Sequence, residues 1–79
     1  MSPTVFREKG YRFYFFSLEE KRMHVHVAGH DGNAKFWLEP EIELAMSHDI
    51  AKHEINNIQK IIKGHKDELT NAWHEHLSS

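Results

Sequence analysis

The chain has no cysteine, only two prolines and only four glycines in 79 residues. Without thiols it can form neither disulfides nor thiolate zinc sites, and it has no thiol nucleophile. No apolar run approaches the roughly 18 residues that a membrane span requires. The opening "MSPTVFREKG" lacks the apolar core of a secretory leader, so the expectation is a cytoplasmic protein with no membrane association. Proline and glycine are too sparse for a linker, and no segment repeats or is of low complexity. Residues 1–79 therefore read as a single domain. A chain this short buries only about 60% of its unfolded surface. Deep clefts are not expected, whereas a partner or a homo-oligomer is.

The formal charge is −2 with the eight histidines neutral, which argues against a generally basic nucleic-acid binder. Protonating all eight would carry the charge to +6, and the unperturbed imidazole pKa of about 6.5 puts that change close to physiological pH. Charge is also unevenly distributed. Residues 1–22 carry five Lys/Arg against three acids, 23–50 one against five, and 51–79 four of each.

The first half is patterned for strands. In "TVFREKGYRFYFF", aromatic and β-branched runs flank Lys9-Gly10, where a tight hairpin needs positive φ. "MHVHVAG" and "AKFWL" flank "HDGN", and Asp-Gly is a strong hairpin signal. Centring the first turn on Lys9-Gly10 pairs Phe6 with Phe13 and Arg7 with Arg12. Centring the second on Asp31-Gly32 pairs Val27 with Phe36, Val25 with Leu38, His26 with Trp37 and His24 with Glu39. Side chains alternate along a strand, so the core face collects Phe6, Tyr11, Phe13, Phe15, Val25, Val27, Phe36 and Leu38. The opposite face collects Arg7, Arg12, Tyr14, His24, His26, Lys35 and Trp37.

The second half is patterned for helix. Pro40 suits a first turn and Glu41 and Glu43 suit the positive end of the dipole, which predicts a short helix over about 41–47. A longer helix is predicted over 51–77, with Ile55, Ile58, Ile62, Leu69, Ala72 and Trp73 on one stripe and Gly64 weakening its middle enough to allow a bend or break there. The expected architecture is α+β. Two hairpins spanning about 4–38 form a four-stranded antiparallel sheet, followed by the short helix and a long C-terminal helix covering one sheet face.

The histidines offer three kinds of chemistry. His24 and His26 point the same way from a strand, about 6–7 Å apart at the backbone, which suits two ligands of one zinc ion. Glu39 opposite His24 would be a third ligand; catalytic zinc wants three and structural zinc four. Without a metal, the same two imidazoles beside Arg12, Lys35 and Tyr14 could act as general base and general acid in phosphodiester cleavage. A binding surface asks least of the sequence. Tyr14 and Trp37 offer stacking platforms and Arg7, Arg12 and Lys35 offer cations, a composition suited to single-stranded RNA or to a protein interface. Plain alternation of polar residues on a half-exposed strand would also account for His24 and His26. His30 belongs to the turn, His48 and His53 flank another, and His74 and His76 do not face one another on a helix. His65 falls on the buried stripe, where a satisfied core histidine fits better than a ligand.

Taken in order, "PTVFREKGYRFYFFS", "HVHV…G…AKFWLEP", "EINNIQKII" and "AWHEH" resemble the small bacterial proteins grouped as the domain of unknown function 4160 family, over residues 3 to 77. Two departures stand out. The family tends to have prolines before its HVHV, where this chain has "EEKRM", and often a capping serine where this chain has Ala51. The resemblance implies no biochemistry, but it does imply a gene arrangement. Members are often encoded beside another small domain of unknown function, as toxin-antitoxin pairs are, which favours a protein partner. The family pattern points to His24, His26, Lys35 and Trp37. The resulting expectation is a component of such a module that binds a partner protein or RNA and needs no cofactor. The alternatives are an endoribonuclease toxin using His24 and His26, and a divalent-metal binder, with zinc the metal, using His24, His26 and Glu39.

Overall fold

The computed structural model describes residues 4–16 and 21–78. Residues 19 and 20, which belong to the segment that departs from the family before His24, lie outside the described residues. Strands β1 (Thr4–Glu8), β2 (Tyr11–Tyr14), β3 (His24–Ala28), β4 (Asn33–Trp37) and β5 (Glu43–His48) are followed by helices α1 (Lys52–Gly64) and α2 (Lys66–Ser78). The strands form one antiparallel sheet in the order β1-β2-β3-β4-β5. The fold is α+β, with five strands where four were expected.

The first hairpin turns where its sequence indicates. Lys9 and Gly10 both have positive φ, 52° and 84°, and Phe6 pairs with Phe13 and Arg7 with Arg12. The second hairpin corrects the expected register. Gly29 N–H donates to the Gly32 carbonyl at 2.8 Å, so His30 and Asp31 form the tip in place of Asp31 and Gly32. Val25 consequently pairs with Phe36, His26 with Lys35 and His24 with Trp37. Each partner has moved by two residues, which preserves the face of every side chain. A Cβ on Gly32 would collide with the backbone carbonyl oxygens of His48 and Asp49, so this glycine lets the hairpin tip press against the end of β5.

Residues 43–48 form a strand, not the expected helix. The Glu, Leu, Ala and Met that suggest a helix have only weak intrinsic preferences, and the free edge of β4 supplies backbone partners that outweigh them. Phe36 pairs with Leu44 and Trp37 with Glu43; a register shift between Lys35 and Phe36 then sets Met46 opposite Lys35 and His48 opposite Asn33.

The predicted long helix is two helices. α1 ends at Gly64, and His65 leaves helical geometry (φ −117°, ψ 20°) before α2 begins. The sheet contributes Phe13, Phe15, Val25, Val27, Ala34, Phe36 and Leu38 to the core, and the helices contribute Ile55, Ile58, Ile61, Ile62, Leu69 and Trp73. Phe6 and Tyr11 are half-buried against it. At roughly 1.5–3 kcal/mol for each large apolar side chain removed from water, this single core carries the fold.

Three polar ties fix the helices on the sheet. The Tyr11 hydroxyl donates to Glu54 Oε1 at 2.7 Å, which raises the tyrosine pKa and lowers that of the carboxyl. Gln59 Nε2 donates to the Ile42 carbonyl at 2.9 Å. The His65 ring stacks on Phe6 at 4.0 Å while Nε2 donates to Glu8 and Nδ1 to Glu68, at 2.8 and 2.7 Å. Both nitrogens can donate only in the imidazolium, and the bonds to Glu68 and Glu8 raise the His65 pKa despite some desolvation. His65 is thus a satisfied histidine, as expected, though it sits at the break between the helices.

Candidate binding face

The sheet face turned away from the core carries Arg7, Arg12, Tyr14, His24, His26, Lys35 and Trp37, because strand parity leaves them nowhere else. Cross-strand pairing sets Tyr14 beside His26, with rings stacked at 5.4 Å, and the Arg12 guanidinium lies 4.4 Å over the Tyr14 ring. Trp37 is half-buried and has two cations over its ring, Arg22 at 4.3 Å and Lys35 at 4.5 Å. Phe16, 56% exposed, meets the His26 ring edge to face at 6.0 Å. Two cation-aromatic clusters, Arg12-Tyr14-His26 across β2 and β3 and Arg22-Trp37-Lys35 centred on β4, therefore lie side by side on the sheet. Contacts of this kind contribute about 0.5–1 kcal/mol each at exposed sites and more when water is excluded.

His24 shares the parity of this face but is fully buried. Its ring meets Trp37 at 5.9 Å, His26 at 5.2 Å and Trp73 of α2 at 5.0 Å, all edge to face. Nδ1–H donates to the Arg22 carbonyl at 2.7 Å, so in the neutral ring Nε2 is the acceptor, and among the described residues it has no hydrogen-bond partner. His26 is only partly buried.

The expected metal set is not brought together. His24 stands opposite Trp37 rather than Glu39. The Glu39 carboxylate instead accepts from the Met23 backbone at 3.3 Å, and its carbonyl accepts from Arg22 Nε at 2.9 Å. Among the described residues no group of three or more His, Asp or Glu side chains is arranged to hold a metal ion. A cavity of about 660 Å³ is lined by Thr4, Val5, Phe15, Ala72 and His76 among others, and one of about 610 Å³ surrounds Tyr11, Glu54 and His65; neither includes His24, His26 or Trp37.

Two contributors escaped the sequence reading. Arg22 lies in a bend just before β3, where strand parity does not apply, and only its position over Trp37 reveals it. Glu43, which forms an ion pair with Arg22 at 3.7 Å, becomes visible only once β5 is known to be a strand. No helix among the described residues is long and apolar enough to cross a membrane.

No curated protein matches the chain, and no solved structure does. The family described as Domain of unknown function (DUF4160) matches residues 10–74, a span that holds β2 to β5, α1, most of α2 and nearly the whole cation-aromatic face. The chain belongs to the domain of unknown function 4160 family.

Proposed function

We propose that this protein is the binding component of a two-gene, toxin-antitoxin-like module, and that it holds a partner protein through the sheet face opposite its helices. The observation that carries this reading is the pair of adjacent clusters, Arg12-Tyr14-His26 and Arg22-Trp37-Lys35. Trp, Tyr and Arg are the residues that most often dominate the energy of protein interfaces. Here their mutual stacking limits the side-chain freedom that binding would otherwise cost. Acidic Glu43 lies among the cations of this face, which suits a protein of mixed charge better than a phosphate backbone.

A nuclease would need both imidazoles to reach a phosphodiester, yet His24 has no exposed surface. A zinc site would need a third ligand beside His24 and His26, and Glu39 is engaged with Met23.

The test is co-expression with the product of the adjacent gene, followed by size-exclusion chromatography of the wild type and of an Arg12→Ala/Trp37→Ala variant. Co-elution that the variant loses while remaining folded supports the reading. Separate elution of the wild-type pair, with tryptophan fluorescence quenched on titration of single-stranded RNA, replaces the protein partner with RNA. Growth arrest by the chain alone, relieved by His26→Ala, replaces it with the nuclease.

A further inference from the structure

We propose that β5 is a dimerisation edge, at which two copies of the chain pair antiparallel about a twofold axis lying between Ala45 and Met46. β5 is last in the sheet order, so one side of its backbone has no partner among the described strands. Each face of this edge exposes one large apolar side chain, Leu44 at 41% and Met46 at 49%. It carries neither lysine nor proline, residues that commonly keep such edges apart.

The occupant follows from the strand's own sequence. In a twofold antiparallel pair each residue meets its mirror position, and the two must lie on the same face of the joined sheet. Centring the axis between Ala45 and Met46 sets Glu43 against His48 of the second copy and Leu44 against its Ser47.

Pairing with β4 fixes the faces. Glu43 lies opposite Trp37 and His48 opposite Asn33, both on the open face; Leu44 lies opposite Phe36 and Ser47 opposite Ala34, both on the core face. His48 is five positions after Glu43, so a regular strand would put them on opposite faces. The register shift between Lys35 and Phe36 brings them to the same one. An irregularity that elsewhere protects an edge here makes the strand complementary to itself.

Donor and acceptor groups agree with this register. Glu43 pairs with Arg22 at 3.7 Å, and the His48 ring lies 3.1 Å from the Asp49 carboxylate. Bringing Glu43 against His48 of the second copy produces a row, Arg22, Glu43, His48, Asp49, in which imidazole and guanidinium N–H groups alternate with carboxylates and which the twofold axis repeats. The dimer joins two five-stranded halves into one continuous sheet with both cation-aromatic faces on the same side.

Analytical ultracentrifugation of the full chain at high micromolar concentration should give twice the 9.4 kDa chain mass. Met46→Lys, which puts cations beside the axis, should restore the single-chain mass. Glu43→Lys and His48→Glu should each weaken the dimer, and combining them should restore it, since each lysine then faces a glutamate. Far-UV circular dichroism establishes that every variant is folded. Trp37→Ala should leave the dimer intact, which separates this surface from the proposed partner face. A wild type that remains a single chain overturns the proposal. So does a dimer that Met46→Lys leaves intact, or one that the paired charge exchange fails to restore.

Discussion

His24 and Trp73 meet edge to face with ring centroids 5.0 Å apart, although His24 opens β3 with the parity of the outer face of the sheet and Trp73 belongs to the helix layer. Trp73 also meets Phe15 edge to face at 5.2 Å, so the contact links the core to the residues that support Trp37. In this arrangement His24 positions the face and His26 forms part of it.

The two histidines should therefore respond differently to truncation. His24→Ala opens a cavity beneath Trp37 and beside Trp73, and should cost roughly 2–5 kcal/mol, as other large-to-small substitutions in cores do. His26→Ala removes a partly exposed ring stacked on Tyr14 and should cost about 1 kcal/mol or less. Urea denaturation of the two variants checks the difference, and equal losses would contradict it.

The stability of the protein should fall as pH rises above the unfolded imidazole value of about 6.5, because of His65. Its imidazolium is held by Glu68 from α2 and Glu8 from β1, with Lys9, His53 and Lys60 around the adjoining cavity. A raised native pKa makes the contribution complete below the unfolded value of about 6.5 and removes it as pH rises through the native value. His65→Gln should flatten this part of the profile of urea midpoint against pH. An unchanged slope in that variant would assign the effect to other groups.

Strand parity explains why both faces of the sheet were legible in the sequence. The second hairpin turned one position earlier than Asp31-Gly32 suggests, yet Val25 and Val27 still faced inward, because a shift of two partners conserves the face. β5 was not legible, since "ELAMSH" has helix-forming residues and its strand conformation comes from the edge of β4. The burial of His24 was hidden for a similar reason. It depends on Trp73, far along the chain, and no local pattern around "MHVHVAG" encodes that contact.

Ala51→Ser should stabilise the protein. Ala51 caps α1 with extended backbone, φ −67° and ψ 152°, but offers no side-chain acceptor, leaving Glu54 to reach back to its backbone N–H at 3.4 Å. A serine hydroxyl would accept from the Glu54 N–H, which now reaches only the Ala51 carbonyl at 3.0 Å, and so complete the reciprocal arrangement with Glu54. The expected gain is about 0.5–2 kcal/mol, measurable as a higher urea midpoint. No gain would mean that the Glu54 bond already satisfies this end of the helix.

The glycines at positions 32 and 64 should respond to alanine in opposite directions. At Gly64 a new Cβ meets nothing within 4 Å, so Gly64→Ala should stabilise α1 by about 0.5–1 kcal/mol through lost freedom in the unfolded chain. At Gly32 the new Cβ would strike the backbone carbonyls of His48 and Asp49, which cannot rotate aside as a side chain can. Asp49 already holds a positive φ of 56°, which limits how far that segment can adjust. The collision should therefore displace the end of β5 at a cost of roughly 1–3 kcal/mol, comparable to overpacking a core. Amide hydrogen exchange identifies the element affected. Protection should fall along Glu43–His48 in Gly32→Ala while Lys52–Gly64 is unchanged, and uniform loss across the protein would mean that β5 is not separately anchored by this contact.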